Sequence, residues 1–448
     1  MKRYEAYKSS GTAWFTFVPE SWNVLKINAL FSQRKEKVSD KDYAPISVTK
    51  NGILPQLETA AKTDDGDNRK KVCAGDFVIN SRSDRKSSCG ISQLEGSVSL
   101  INIVLKPRKE INGCYAHYLL RSQPFSEEFY RNGRGIVADL WTTRYSEMKN
   151  ILLPVPPRDE QDQIVRYLDW QVSKINRLIA AKRKQVGLIS ASKQAYISHL
   201  VTHGLNNSIK KKDSGIHWLG NIPAHWEVCK LRTILSPKSE KNRPDLPLLS
   251  VVREKGVILR DVEDKEANHN FIPDDLSGYK VVHANQFVIN KMKAWQGSYG
   301  ISPCDGIVSP AYFVFDINFE NLEYFHYAIR SKVYVNFFAQ ASDGIRVGQW
   351  DLSVDKMKNI PFIIPPMEEQ KEIVLQIKAQ TVTVENACQK IQAQITALEA
   401  LRTRLISDVV TGQIDVRGIE IPDDERAEEF AFPDNTEEES EDIADEEE

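Results

Sequence analysis

The chain has no apolar run that approaches the roughly 20 residues a membrane-spanning helix needs. Its first ten residues are charged and polar, unlike a secretory leader. Cysteine is sparse: six residues, at 73, 89, 114, 229, 304 and 388, with no C-x-x-C pair among them. That scatter argues against a zinc site and reads as a set of reduced thiols in a cytoplasmic protein. The phosphate-cradling G-x-x-x-x-G-K-[ST] loop is also missing, which argues against an ATP-driven motor. Two Pro-Pro pairs occur, Val155-Pro156-Pro157-Arg158 and Ile364-Pro365-Pro366-Met367. Both lack the preceding amide and following aromatic with which an Asn/Asp-Pro-Pro-Tyr loop holds an adenine. They read as helix starts instead.

Charge of one sign is scarce at the C-terminus. Residues 420–448 hold 16 acidic side chains and one basic one, Arg426. The tail thus carries −15 of a net −3, which leaves +12 on the preceding 419 residues. A body that basic suits a polyanion, of which nucleic acid is the commonest. The tail, from 416, reads as disordered.

What is present is a long helix, from about Asp159 to His203, that no proline interrupts. Its apolar residues fall on alternating three- and four-residue steps, including Leu168, Ile175, Ile179 and Ile189. A stripe this narrow is the seam of a helix that pairs with one other helix. The partner lies 209 residues on, where the seam returns as Ile377, Val384, Ile391, Leu398 and Leu405, and the basic exception Lys193 lands on Arg402.

The matching seams belong to an internal duplication of the whole chain. Gly11, Trp14, Pro19 and Trp22 return as Gly215, Trp218, Pro223 and Trp226. Phe77-Val78-Ile79-Asn80 returns as Phe287-Val288-Ile289-Asn290, and Gly90-Ile91-Ser92 as Gly300-Ile301-Ser302. His117-Tyr118, Trp141 and Met148-Lys149-Asn150-Ile151 recur as His326-Tyr327, Trp350 and Met357-Lys358-Asn359-Ile360. The tryptophans read as core, and the histidines as packing or helix-end hydrogen bonding.

Five segments follow: a mixed domain at 1–157, a helix at 158–205, a polar linker and second mixed domain at 206–366, a helix at 367–415, and the acidic tail at 416–448. Phe77–Asn80, Val98–Leu105, Phe287–Asn290 and 307–315 read as strands. Residues 116–122 and 325–338 read as short helices.

Between the shared anchors the two copies differ. After Asn80 come Ser81, Arg82, Arg85 and Lys86; after Asn290 come Lys291, Lys293, Trp295 and Gln296. Arg134 and Arg144 flank the first shared tryptophan, and Arg346 and Gln349 precede the second. Arginine and lysine suit phosphates or the O6/N7 edge of guanine, and glutamine suits the N6/N7 edge of adenine. Solvated surface charge is the alternative reading of the same residues. Matched framework with unmatched basic loops is what two readers of different targets need.

These residues resemble the specificity subunit of type I restriction–modification systems. The likeness rests on the Gly-x-x-Trp-x-x-x-x-Pro-x-x-Trp openings, on 287–302, and on the Lys-Asn-Ile…Pro-Pro-x-x-Glu-Gln junctions, and it covers about residues 4–415. It implies an α+β fold: two duplicated mixed target-recognition domains separated by two long antiparallel coiled-coil helices with a pseudo-two-fold. It further implies a non-catalytic DNA-binding chain, each domain reading half of a bipartite double-stranded site, with the helices setting the spacer. Two methyltransferase subunits would dock on the helices, and ATP-driven restriction subunits are optional further partners. The chain itself would bind no cofactor, since S-adenosylmethionine, ATP and Mg2+ would sit on the partners. A stand-alone DNA-binding regulator, a coiled-coil adaptor and a nuclease with scattered carboxylates are the competing classes. A regulator would not need two 45-residue helices, and an adaptor would not need divergent basic loops.

Overall fold

The structure is a computed structural model that describes residues 2–56, 66–82, 86–135, 141–206, 208–216, 219–253, 255–260, 272–273, 275–346 and 349–422. The side chains of 345, 346 and 349 lie outside that description, as do Arg85, Trp218 and residues 423–448 of the acidic tail. The described residues form two compact units, one from residues up to 183 with 392–422, the other from 184–391.

In the first unit an antiparallel sheet runs in the order Cys89–Ile91, Phe77–Asn80, Asn102–Pro107, Phe31–Gln33. Phe77, Val78 and Ile79 are buried in succession, so both faces of this strand are covered and the alternation of a half-wet strand is absent. One face meets Ile46, Ile53, Val72 and Val98, partly supplied by the hairpin of Ile46–Thr49 and Gly52–Pro55. The helices Gly113–Arg121 and Gln123–Arg131 follow, the first capped by Asn112, whose side chain accepts from the amides of Cys114 and Tyr115.

The second unit repeats the plan. Its sheet order is Tyr299–Ile301, Phe287–Asn290, Tyr312–Ile317, Leu235–Lys238, with Phe287 opposite Ile301 as Phe77 is opposite Ile91. Leu249, Val251, Val257 and Val288 form the equivalent core beneath the hairpin of Leu249–Val252 and Gly256–Leu259.

Several element boundaries differ from the sequence reading. Val98–Leu105 is two strands, Gly96–Val98 and Asn102–Pro107, because the chain turns where the Asn102 amide bonds the Ser99 carbonyl. The 307–315 segment breaks in the same way between Gly306–Val308 and Tyr312–Ile317, at a bond from the Tyr312 amide to Ser309. The 325–338 helix is a pair, Leu322–Ile329 and Lys332–Gln340, interrupted at Arg330 and Ser331. The polar linker is not all loop: Lys211–Asp213 pairs with Asn221–Pro223. Packed chain also reaches past 416, since Val416 is buried and Gln163 Nε2 donates to the carbonyls of Val416 and Ile419.

The long helices are Arg158–His203 and Met367–Val410, each following directly on its Pro-Pro pair. Leu168, Ile175, Ile179, Ile377, Val384, Ile391 and Leu405 are buried, and Ile189 and Leu398 half-buried. In the first unit Arg402 donates to Asn176 and Lys182 to Gln394, so partners advance along one helix as they retreat along the other. The pair is antiparallel. In the second unit Ile197, Leu200 and Val201, near the end of one helix, share a core with Ile373, Val374 and Ile377, near the start of the other.

Each helix start is bolted to its domain by the repeated tryptophan. Glu160 Oε1 accepts from Trp22 Nε1 at 3.0 Å and from Tyr4 Oη at 2.6 Å. Glu369 Oε2 accepts from Trp226 Nε1 at 2.9 Å and is 2.8 Å from His225 Nε2. The other helix ends against the same tryptophan. Gly412, at φ 76°, lies where a Cβ would strike Pro19, with Trp22 at 3.2 Å, and Gly204, at φ 73°, would place one 3.0 Å from Trp226. The left-handed turn that closes each helix therefore has room only for glycine.

Candidate nucleic-acid interface

In the first unit, three separated stretches of the sequence-derived set converge. Thr142 bridges both Arg82 and Arg134, and the Thr143 amide bonds the Ser81 carbonyl at 3.0 Å. The strand Phe77–Asn80 fixes the loop start, because Asn80 Oδ1 accepts from the Arg82 amide at 3.0 Å. Arg144 follows next in chain, at the start of the short helix Tyr145–Met148. Arg82, Lys86, Arg134 and Arg144 are all exposed, whereas Ser81 is buried and supports the loop.

Arg82 and Lys86 line a small cleft together with Asn80, Tyr130 and Trp141. Lys86 Nζ stands 4.0 Å over the Tyr130 ring, a cation–π contact. Tyr130 and Trp141 lie 5.7 Å apart at 31°, tied by a 2.8 Å bond from Trp141 Nε1 to the Tyr130 carbonyl. Gly133 makes this approach possible, since the Trp141 indole occupies the space a Cβ would need. A cation over one of two linked rings is a surface on which a nucleobase can stack and a phosphate be neutralised. Tyr130 and Trp141 are absent from the sequence-derived set. The recurrence of Trp141 as Trp350 was a signal, but nothing in the sequence paired Tyr130 with it.

In the second unit the corresponding loop is held differently. Lys291 Nζ is 2.9 Å from Asp351, and the Leu352 amide bonds the Lys291 carbonyl at 2.9 Å. Asn290 Oδ1 accepts from the amides of Met292 and Lys293. A single 3-10 turn, Ala294–Gln296, then ends at Gly297, whose φ of 97° suits the left-handed cap. Trp295 meets Trp350 at 5.3 Å and 41°. The Trp295 Nε1 donor is buried with no hydrogen-bond partner among the described residues. The hairpin Ser342–Arg346 and Gln349–Leu352 brings Arg346 opposite Gln349 in the ladder. Both units thus pair the shared tryptophan with a ring from unmatched sequence: Tyr130 in one, Trp295 in the other.

The repeated histidines belong to the framework. His117 Nδ1 accepts from the Ile91 amide at 3.2 Å, and burial beside Arg121 pushes its pKa down to about 3. Burial pushes His326 down to about 4. Both rings are neutral at physiological pH. Among the described residues no group of three or more His, Cys, Asp or Glu side chains is placed to hold a metal, and no helix is long and apolar enough to cross a membrane.

No family model matches the chain. It is 22% identical over 437 residues to the type I restriction enzyme MjaVIII specificity subunit of Methanocaldococcus jannaschii, covering 90% of this chain and 95% of that one. The putative type I restriction enzyme MjaX specificity subunit of the same organism is 22% identical over 433 residues, 89% and 95% of the two chains. A chain solved in a study of complex assembly and conformational transition of the type I R-M system superposes with a TM-score of 0.58, at 13% identity, over 89% of this chain and 99% of its own length. The curated relatives are type I restriction enzyme specificity subunits, so the resemblance read from the repeated motifs holds along nearly the whole chain, with a shared fold.

Proposed function

We propose that the chain is the DNA-reading subunit of a type I restriction–modification complex, each unit reading one half of a bipartite double-stranded target. The observation that supports this most is the position of the differences between the copies. Matching sheets carry unmatched cationic loops at the same place, Arg82 and Lys86 with the nearby Tyr130 ring in one, Lys293, Trp295 and Gln296 in the other. Phosphate contacts would supply affinity and register, and base-edge contacts the choice of sequence.

Those partners, on this reading, are two methyltransferase subunits docked on the long helices, with restriction and translocase subunits as further members. S-adenosylmethionine, ATP and Mg2+ are bound by them and not by this chain. The helices act as the ruler for the spacer between half-sites. The test is to co-express the tagged chain with its methyltransferase partner and sequence the methylome. The expected result is co-purification and chain-dependent adenine-N6 methylation at one bipartite motif. Methylation that persists unchanged without the chain overturns the reading, as does a chain that retains no methyltransferase.

A further inference from the structure

The hairpins Ile46–Thr49/Gly52–Pro55 and Leu249–Val252/Gly256–Leu259 were not part of the sequence-derived interface. Their seating nevertheless recurs in the two units. Each lies against the strand that carries the shared Gly-Ile-Ser motif, and glycine meets glycine at the contact. A Cβ on Gly90 would stand 3.5 Å from Gly52 Cα, and one on Gly300 would stand 3.2 Å from Gly256 Cα. The first hairpin turns at Thr49–Gly52, where Gly52 has φ 118° and Thr49 Oγ1 donates to the Gly52 carbonyl.

Each hairpin is also pinned by an arginine at an equivalent position, 209 residues apart. Arg121 Nη2 donates to the Lys50 carbonyl at the first tip, and Arg330 Nη2 to the Arg253 carbonyl at the second, at 2.9 Å. Arg330 Nη1 also bonds the Tyr299 carbonyl and lies 3.0 Å from where a Gly256 Cβ would stand. Both guanidiniums are half-buried, and desolvation lowers both pKa values. An arginine stays charged regardless, so each places a fixed positive charge under a hairpin tip. The tips carry further exposed cations, Lys50 in one and Arg253 and Lys255 in the other. Leu120 and Cys89, next in chain to Arg121 and Gly90, line the cationic cleft.

We propose that the two hairpin tips are DNA-backbone clamps: Lys50, Arg253 and Lys255 contact phosphates, and Arg121 and Arg330 are positioning residues that hold the tips in place. The inference rests on the DNA-reading function and adds to it a sequence-independent contact made by each unit. It separates the work of each domain. The loops after Asn80 and Asn290 choose the sequence, and the hairpins grip the backbone beside it.

The experiment uses the full chain with its methyltransferase partner, and two duplexes of equal length, one with the methylated motif and one scrambled. Affinity is measured from about 50 to 200 mM salt for wild type, for Lys50→Ala, and for Arg253→Ala with Lys255→Ala. Each lost phosphate contact should flatten the slope of log K against log salt by about 0.9. The expected outcome is a several-fold loss on both duplexes alike, with half-site choice in the methylome unchanged. Arg121→Gln leaves Lys50 in place, so a slope flattened like that of Lys50→Ala supports pinning, and a wild-type slope overturns it. Wild-type slopes in the Lys50 and Arg253/Lys255 variants, or a loss confined to the motif duplex, overturn the clamp. If wild type binds neither duplex in a salt-dependent way, the DNA-reading function itself fails, which is a distinct result.

Discussion

Replacing Glu160 by alanine should destabilise the first unit more than replacing Glu369 destabilises the second, although the two residues occupy equivalent positions. Glu160 is 5% exposed and serves two buried donors, Tyr4 Oη and Trp22 Nε1. Removing it strands both donors away from water, at about 1.5–3 kcal/mol for each bond to a charged acceptor, or roughly 3–6 kcal/mol together. The Glu369 side chain is 17% exposed and its His225 partner 41% exposed, so water can replace that contact. Only the Trp226 indole is then left unsatisfied, at about 1–3 kcal/mol. Against a whole-domain stability of about 5–15 kcal/mol, the first loss is a large share. Hydrogen exchange resolved by peptide reads each unit separately: Glu160→Ala should lower protection around 17–19 and 158–165, leaving 221–226 unchanged. A Glu160→Ala loss under about 1 kcal/mol, or one no larger than that of Glu369→Ala, would refute the argument that burial of the donors sets the cost.

Three further predictions concern function and pH. Exchanging 81–134 for the matching segment of a relative should change one half-site in the methylome and leave the other intact; change in both refutes independent reading. Inserting four residues into each long helix adds about 6 Å of helix. The same half-sites should then be methylated with a spacer about two base pairs longer, and a folded, partner-bound variant that keeps the original spacing shows that the helices are not the ruler. The His117 pKa of about 3 lies below the roughly 6.5 of an unfolded histidine. Its neutral form therefore contributes stability that is complete above about pH 6.5 and is lost as pH falls toward 3. Urea midpoints of the first unit should fall through that window, and less steeply in His117→Gln; parallel curves would show that His117 is not the titrating group.

The parts of this fold that were legible in sequence are those written as a period or a repeat. The seam from Leu168 to Ile189 and its return from Ile377 to Leu405 could be read because neighbours on a helix face are neighbours within three or four residues. The strands Phe77–Asn80 and Phe287–Asn290 were legible for the same reason, as short apolar runs bounded by polar turns. The breaks at Ser99, Ser309 and Arg330 were not, because each depends on one local hydrogen bond that leaves the hydrophobic pattern intact. Individual long-range hydrogen bonds were hidden. Trp22 was recognisable as core, yet its bond to Glu160 spans 138 residues. The loop cations were found by their charge and their divergence, but Tyr130 and the hairpin at Lys50 carry no such mark. Only folding brings the first under Lys86 and the second over Arg121.

The first unit is closed by chain made after the second, and this orders events on the ribosome. Its own 183 residues emerge early, but the segment that completes it begins at 392, after all 208 residues of the other unit. At about 5–20 residues per second, that interval lasts roughly 10–40 s. Throughout it, Tyr115 Oη lacks the Val410 carbonyl, Trp22 lacks Gly412, and the seam from Leu168 to Ile179 has no facing helix. The domain synthesised second is thus the one that can finish first. The nascent first domain waits with an open apolar stripe.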